Sequence, residues 1–269
     1  MKLAVNASAP LHRQLSLGAV QVDLIKCPEW DGIVNVAKFL APVYIHFEIV
    51  IGNDSVQRLD FDLIKRFLET TETPHLNVHL TGDGQLLSSS QKDQQQLVDI
   101  WKSDIDTIRH HIPDTTIVAE NLPYLPSYRE NRIANHSWMI RELLDSMDMG
   151  LLLDLSHIRI TAAYENQDYQ LLAEALPVDR LRELHLTGIK PYAGYLTDHF
   201  ELNEIDFAAT NWAMEKIKSG QWREPEIVSF EYGGFGDIFA WRTEEWVIRE
   251  QVPTLWSMVH SNHTNSHAT

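Results

Sequence analysis

The sequence predicts an α/β fold of the (β/α)₈ TIM-barrel type, in a single domain that spans residues 1–260. Short apolar runs rich in β-branched residues occur eight times along the 269 residues, and each is followed by a longer segment with helical periodicity. Eight strand–helix units in a chain of this length are typical of such a barrel. The main alternative, an open Rossmann-type sheet, needs a glycine-rich turn after its first strand, whereas residues 6–10 (NASAP) contain no glycine.

The elements can be placed in chain order from these patterns. The predicted strands span residues 3–6, 20–25, 43–49, 76–80, 116–120, 151–154, 181–186 and 227–231. Apolar stripes at helical spacing predict helices over residues 60–69, 91–110, 137–147, 206–218 and 243–260. Residues 261–269 are polar and lack periodicity, which predicts a disordered tail.

Composition limits the partners and the cellular location. The chain has 22 Lys and Arg against 38 Asp and Glu, a net charge of -16, which argues against general binding to nucleic acid. No apolar run approaches the roughly 20 residues that span a bilayer, and the first residues lack the apolar region of a signal peptide. The single cysteine, Cys27, excludes an internal disulfide. We therefore expect a cytoplasmic protein that binds neither membranes nor, in general, nucleic acid.

Side chains that can bind a metal ion stand at the C-terminal ends of six successive predicted strands. They are His46, His79, Glu120, Asp154 followed by His157, His185 and Glu231. The loop between the last two of these strands offers Asp198 and His199, and the sequence leaves open which of the two completes the set. A lone histidine at a strand end is more often a hydrogen-bonded core residue, but closing the barrel would aim all of these side chains at one point.

A cluster of carboxylates at short range is costly unless cations neutralise it. Ligands of the His, Asp and Glu types without Cys suit iron, manganese or zinc. Because the set is larger than one ion can use, it predicts two or three divalent ions. Five further histidines fall outside this pattern and are interpreted as non-functional: His12, His75, His110, His111 and His136.

The order of these residues along eight strands resembles the xylose isomerase-like superfamily of TIM barrels, which includes sugar isomerases and epimerases, endonuclease IV and multinuclear non-haem iron-dependent oxidases. Within it, residues 119–124 (AENLPY) and 183–188 (ELHLTG) look more like the iron oxidases. The resemblance implies that the residues named above are metal ligands or lie next to the ions. It also implies a centre in which one ion activates dioxygen and another holds the substrate.

We therefore expect a metal-dependent enzyme similar to the iron oxidases, which acts on a peptide or a small metabolite. Glu120, His157 and Glu231 are the predicted catalytic residues. Lys26, Asn121 and Tyr124 are predicted to contact the substrate. The alternatives are a sugar or polyol isomerase or epimerase, with Glu120 or Glu231 moving a proton, a nuclease of the endonuclease IV type, which the charge disfavours, and a barrel that only binds ligands. The oligomeric state stays open.

Overall fold

The computed structural model describes residues 1–84 and 90–261. Its strands are β1 (Lys2–Asn6), β2 (Leu24–Cys27), β3 (Val43–Ile45), β4 (Val50–Ile51), β5 (Leu76–Leu80), β6 (Ile117–Asn121), β7 (Gly150–Asp154), β8 (Leu181–Leu186), β9 (Gly188–Tyr192), β10 (Tyr195–Phe200) and β11 (Ile227–Phe230). Nine of them form one parallel sheet in the order β3-β2-β1-β11-β8-β7-β6-β5-β4, while β9 and β10 form a separate antiparallel hairpin.

The helices follow the strands and cover the outside of the sheet. They are α1 (Ala9–Ser16), α2 (Asp31–Ala37), α3 (Phe61–Thr70), α4 (Gln91–His111), α5 (Asn131–Ala134), α6 (Ser137–Ser146), α7 (Leu155–Glu165), α8 (Tyr169–Ala175), α9 (Glu204–Lys218) and α10 (Glu245–His260). Short 3₁₀ turns occur at Val56–Arg58, Val178–Arg180 and Ala240–Arg242. None of the helices within the two described stretches is long and apolar enough to cross a bilayer.

The sheet closes into a barrel through a broken third strand. The two ends of the sheet are β3, which begins the run predicted as one strand over residues 43–49, and β4, which follows directly after that run. The backbone N–H of His46 still bonds to the carbonyl of Cys27 on one side, and the carbonyl of Ile49 accepts from the N–H of His79 on the other. Between them, the Asn77 side chain bonds both the N–H and the carbonyl of Phe47. The prediction of eight barrel strands is confirmed, with the third one kinked.

Alternation along the strands separates two cores. Leu3 and Val5 of β1 belong to the large core between the sheet and the helices, whereas Ala4 between them joins a small separate cluster inside the barrel with Leu24, Tyr44 and Ile227. Above this apolar layer, the inward positions of the strands become polar. Those polar positions form the candidate site.

The predicted boundaries needed two corrections. The strand predicted over residues 20–25 starts only at Leu24, because Asp23 turns to the first strand and its carboxylate accepts the N–H of Leu3 at 2.7 Å. The hairpin of β9 and β10 was not predicted, since it lies in what the pattern indicated as a loop. The predicted disordered tail, apart from its first residue, lies outside the described residues.

Candidate metal centre

The predicted strand-end residues converge at the C-terminal mouth of the barrel, with Glu120 of β6 at their centre. Its Oε2 lies 3.4 Å from Nε2 of His46 and 3.3 Å from Nε2 of His79. Its Oε1 lies 3.6 Å from Nδ1 of His157 and 3.8 Å from Nδ1 of His185. One buried carboxylate therefore faces four imidazoles that come from four different parts of the chain.

The two other strand-end carboxylates complete the cluster around His185. Nδ1 of this histidine lies 3.8 Å from Oδ2 of Asp154 and 3.2 Å from Oε1 of Glu231. Within the described residues, four groups of three side chains hold their ligand atoms within 4.8 Å of one another: His46, His79 and Glu120; Glu120, Asp154 and His157; Asp154, His185 and Glu231; and His46, Glu183 and His185. The prediction that these positions meet at one point agrees with this geometry, while their role as ligands stays a prediction.

Several polar atoms of the cluster are buried without a hydrogen-bond partner in the part of the chain that the structure describes. They are Oε2 of Glu120, Oδ2 of Asp154 and Nδ1 of His185. The three residues are 2%, 0% and 0% exposed. Leaving a buried carboxylate oxygen unpaired is costly. Atoms of this type facing each other therefore fit a cation, and imidazole with carboxylate suits iron, manganese or zinc.

The spacing of Asp154 and His157 has a local explanation. Asp154 ends β7 and is the N-cap of α7: its Oδ1 accepts the backbone N–H of His157 at 2.8 Å. The cap uses one carboxylate oxygen and leaves Oδ2 directed at the cluster. His157 lies in the first turn of the same helix, so the strand end and the helix start supply neighbouring ligand atoms.

A carboxylate below the cluster, that of Glu183, fixes the orientation of His185. Its Oε1 lies 2.7 Å from Nε2 of His185 and also accepts the hydroxyl of Tyr44 at 2.9 Å. Its other oxygen bonds to Nε2 of His75. The tautomer that donates Nε2–H to Glu183 leaves Nδ1 of His185 available to bind a metal ion, as in the carboxylate–histidine pairs of known metal sites.

Asp198 and His199 lie in the mouth in different environments. Oδ2 of Asp198 is 3.0 Å from Nε2 of His157, whose Nδ1 donates to the carbonyl of Asn121 at 2.8 Å. His199 has a left-handed backbone with φ of 61° and turns its ring to Asn6, 3.5 Å away, rather than to the carboxylates. The geometry therefore favours Asp198 as the residue that completes the cluster.

Burial and neighbouring charges have opposite effects on the pKa values of His157 and Glu120 in the cluster. Burial opposes protonation of His157, but the carboxylates around it, Asp154 first, outweigh burial and raise its pKa to about 10. Burial likewise opposes ionisation of Glu120, but His79 and the other imidazoles lower its pKa to about 2. Burial keeps the pKa of His46 well below its usual value. Protons therefore balance the carboxylates when no metal ion does.

Lys26, predicted to contact the substrate, lines the mouth cavity. It is 5% exposed, and its Nζ forms an ion pair with Oε1 of Glu231. The same Nζ is 3.3 Å from Nε2 of His185. The ammonium group therefore lies among the candidate ligands.

Asn121 and Tyr124, predicted to contact the substrate, have other partners. The Asn121 amide bonds both the N–H and the carbonyl of Asp154 at 3.0 Å, so its geometry assigns it to positioning that residue. Tyr124 faces the guanidinium of Arg132 at 5.8 Å. It lines a separate cavity of about 820 Å³ beside α7, so the structure does not bring it to the cluster.

The mouth above the cluster is a cavity of about 270 Å³. Apolar side chains cover it: Trp30, Leu122, Phe235 and Phe239. This volume is at the small end for ligand pockets, which typically measure about 300–1,000 Å³. It admits one side chain or one small molecule to the polar layer.

Sequence reasoning missed the residues that hold the cluster from below, Glu183 and His75. His75 was interpreted as non-functional, yet it is 3% exposed and bonds to Glu183. A signal for Glu183 was present: it precedes His185 by two positions, so both point into the barrel. The single thiol, Cys27, is buried, and burial raises its pKa to about 12, which agrees with a packed rather than a reactive cysteine.

Known structures share this fold. The chain aligns with a D-psicose 3-epimerase at a TM-score of 0.55 and 13% identity, covering 96% of this chain and 98% of that one. A xylose isomerase domain protein of Alicyclobacillus acidocaldarius matches with a TM-score of 0.59 and 11% identity, over 96% and 98% of the two chains. A D-allulose 3-epimerase from Methylomonas sp. matches with a TM-score of 0.56 and 15% identity, over 96% of this chain and 98% of that one. At these identities the likeness establishes the fold.

Sequence relatives are found among proteins named UPF0276. One from Chromobacterium violaceum is 29% identical over 100 residues, 35% of this chain and 36% of the relative. One from Acaryochloris marina is 35% identical over 83 residues, 30% of this chain and 29% of the relative. The chain thus matches about a third of the length of these curated relatives.

The family comparison covers most of the candidate centre. Residues 49–209 match the model of the RiPP precursor modification enzymes MbnB/TglH/ChrH. This range includes five of the strand-end residues: His79, Glu120, Asp154, His157 and His185. The chain therefore belongs to the MbnB/TglH/ChrH family of RiPP precursor modification enzymes.

Proposed function

We propose that the chain is a metal-dependent oxidoreductase of the non-haem iron type that modifies a peptide. The observation that carries the proposal is a group of buried atoms on Glu120, Asp154 and His185 that have no hydrogen-bond partner among the described residues and face one another at the barrel mouth. The family match supports a peptide as substrate, because the family is described as modifying precursor peptides. Two or three divalent ions, iron in first place, would occupy the cluster.

The proposed ligands are His46, His79, Glu120, Asp154, His157, His185, Asp198 and Glu231. Bound iron would supply a Lewis acid and a redox-active centre. The imidazoles and carboxylates without thiolate suit iron better than a structural zinc site, which usually contains Cys. Manganese and zinc fit the same donors, so metal identity is the first quantity to measure.

The protein groups hold and orient the reacting side chain. The mouth cavity of about 270 Å³ would take one substrate side chain, and Trp30 and Phe235 form part of its apolar wall. Glu231 lines the same cavity and is the candidate for moving a proton. Nδ1 of His157 is bonded to the main chain of Asn121, so this ring would bind an ion through Nε2, beside Asp198.

Protein purified without oxygen and without added metal tests the proposal. We expect iron as the main bound metal, and oxygen uptake when a library of random decapeptides is added, with a matching mass change in some peptides. Manganese as the only metal, together with epimerisation of D-fructose and no oxygen uptake, would instead establish the isomerase alternative and overturn the proposal.

The Asp154→Asn variant tests the role of one proposed ligand. It removes the charge of Asp154 but retains an oxygen that can accept the N–H of His157, so the start of α7 is preserved. We expect loss of metal and of oxygen uptake with an unchanged circular dichroism spectrum. Asp179→Asn, which changes an exposed partner of Arg141, should retain both.

A further inference from the structure

We propose that the cavity beside α7 binds an acidic segment of the substrate peptide, next to the residue that enters the mouth. The proposal rests on the proposed function, since it takes a peptide as the substrate. This side cavity measures about 820 Å³ and is lined by the loop after β6 and by residues of α7 and α8. Its volume lies within the range of about 300–1,000 Å³ that is typical of ligand pockets.

The side cavity and the mouth share a wall. His157 of α7 lines the mouth, and the next residue, Ile158, lines the side cavity. The loop after β6 divides in the same way, with Leu122 at the mouth and Tyr124 at the side cavity. Consecutive Cα atoms are about 3.8 Å apart, and an extended peptide advances about 3.3 Å per residue. A peptide with one side chain in the mouth therefore reaches the side cavity within a few residues.

The charged groups of the side cavity favour an anion, although the chain as a whole has a net charge of -16. The charged residues that line it are Arg129, Arg132 and Glu165. Arg132 pairs with Glu165 at 2.8 Å, whereas the side chain of Arg129 has no ion pair or hydrogen bond among the described residues. One guanidinium is therefore available for a carboxylate, which it can bind through two parallel hydrogen bonds.

Apolar side chains form another part of the lining. They are those of Ile133, Ile158, Leu172 and Leu176. A ligand that carries apolar as well as acidic side chains gains from burying the apolar ones here, while its carboxylates pair with the arginines. The lining thus fits a mixed acidic and apolar segment better than a purely acidic one.

Hydrogen bonds hold the loop that carries the two arginines. The side-chain amide of Asn135 donates to the carbonyls of Leu122 and Asn131, both at 2.9 Å. The backbone N–H of Tyr124 donates to the hydroxyl oxygen of Thr161 on α7 at 2.9 Å. The side cavity is therefore formed before a ligand binds, which reduces the entropy lost on binding.

Fluorescence anisotropy with two labelled decapeptides tests the inference. In one, glutamate alternates with leucine, and in the other, glutamine replaces each glutamate. The net charge of the protein repels an acidic peptide in general, so a preference for it indicates a local cationic site. We expect the acidic peptide to bind at least about tenfold more tightly, the effect of one hydrogen bond to a charged group.

Charge reversal in the side cavity should remove this preference. The variants are Arg129→Glu alone and Arg129→Glu combined with Arg132→Glu. Because Arg129 has no partner to lose among the described residues, the single variant keeps the test valid if the double variant fails to fold. Arg141→Glu is the matched control: Arg141 lies on α6, outside the lining, where it pairs with Asp179, and this variant should retain the preference.

The contrary outcomes separate this inference from the proposed function. Equal affinity of the unmodified protein for the two decapeptides, or an acidic preference that persists in folded Arg129→Glu, would overturn the role of the side cavity. Iron content and oxygen uptake would then be unaffected, because the changed residues lie outside the metal cluster. An acidic preference in a protein that binds no metal would refute the proposed function and retain the side cavity as a site for acidic peptides.

Discussion

At the scale of single residues, the orientation of His185 depends on a carboxylate that is not among the proposed ligands. Glu183 accepts from Nε2 of His185 and is itself held by Tyr44 and His75. These contacts cross the barrel interior, since β3 and β8 are not neighbours in the sheet. The ring is therefore fixed with Nδ1 towards the cluster before any ion binds.

Glu183→Gln should weaken metal binding without unfolding the protein. A glutamine can present its NH₂ group to Nε2, which favours the imidazole tautomer with a proton on Nδ1. We expect metal affinity to fall by about 10–100-fold, the usual effect of changing such a partner, measured by titration with ferrous iron. Tyr44→Phe removes only one hydrogen bond to Glu183 and should have a smaller effect. Equal affinities in Glu183→Gln and the unmodified protein would contradict the role.

The protonation of His157 predicts a pH dependence of metal binding. Its carboxylate neighbours raise its pKa to about 10, so at neutral pH the metal-free centre holds a proton there. A metal ion that binds Nε2 must displace this proton, so affinity should rise with pH up to about 10 and fall as the solution is acidified. Calorimetric titrations in buffers of different ionisation enthalpy measure the released protons. Binding without proton release at pH 7 would exclude His157 as a ligand.

At the scale of elements, the sequence predicted the strand ends better than the connections between them. The helices α3, α4 and α9 begin at side-chain N-caps and carry apolar stripes, so both signals agreed. Helix α7 escaped prediction because its buried positions include polar residues, Ser156, His157 and Thr161, which obscure the stripe. Elements that build the site are the ones whose patterns deviate most from a simple amphipathic helix.

The loop after β11 covers the mouth and depends on Gly233. This residue has φ of 58°, and a Cβ there would lie 1.9 Å from Oγ1 of Thr243. Its N–H bonds to the carbonyl of His199, and its carbonyl accepts from Asn6, so it joins the loop to the end of β1 on one side and to the hairpin after β8 on the other.

Gly233→Ala should therefore destabilise the protein and loosen the mouth. The positive φ alone costs about 1–2 kcal/mol for a residue with a Cβ, and the clash with Thr243 adds to it. Gly220→Ala is the matched control, because Gly220 also has a positive φ, of 73°, but nothing within 4 Å of its Cβ position. Urea unfolding should show a larger loss for Gly233→Ala. Equal losses would mean that the loop adapts to the extra methyl group.

At the scale of the whole molecule, closure of the barrel brings residues that are distant in the sequence together in one site. The strand-end residues were identifiable because eight strands in register place their ends at a common mouth. What the sequence could not provide is the contacts across the barrel, such as Tyr44 to Glu183 or Lys26 to Glu231, because these depend on the register around the closed sheet. Local patterns identify which side chains face inward, and only closure determines which of them meet.

Closure also predicts that the stability of the molecule depends on the proposed ions. Without them, the carboxylates of Glu120, Asp154 and Glu231 are buried together, balanced only by Lys26 and by protons. An ion that binds only the folded state stabilises it by about 2.7 kcal/mol at a concentration 100 times its dissociation constant. Removal of metal with a chelator should therefore lower the melting temperature by several degrees, and ferrous iron should restore it.

Scanning calorimetry of Asp154→Asn tests whether this effect arises at the proposed centre. The variant removes one buried negative charge, so the repulsion between carboxylates in the metal-free state is smaller. It also removes a ligand, so added iron stabilises the folded state less. We expect its melting temperature to respond much less to chelation than that of the unmodified protein, while Asp179→Asn responds fully. A melting temperature of the unmodified protein that is independent of metal would show that hydrogen bonds and protons alone balance these carboxylates.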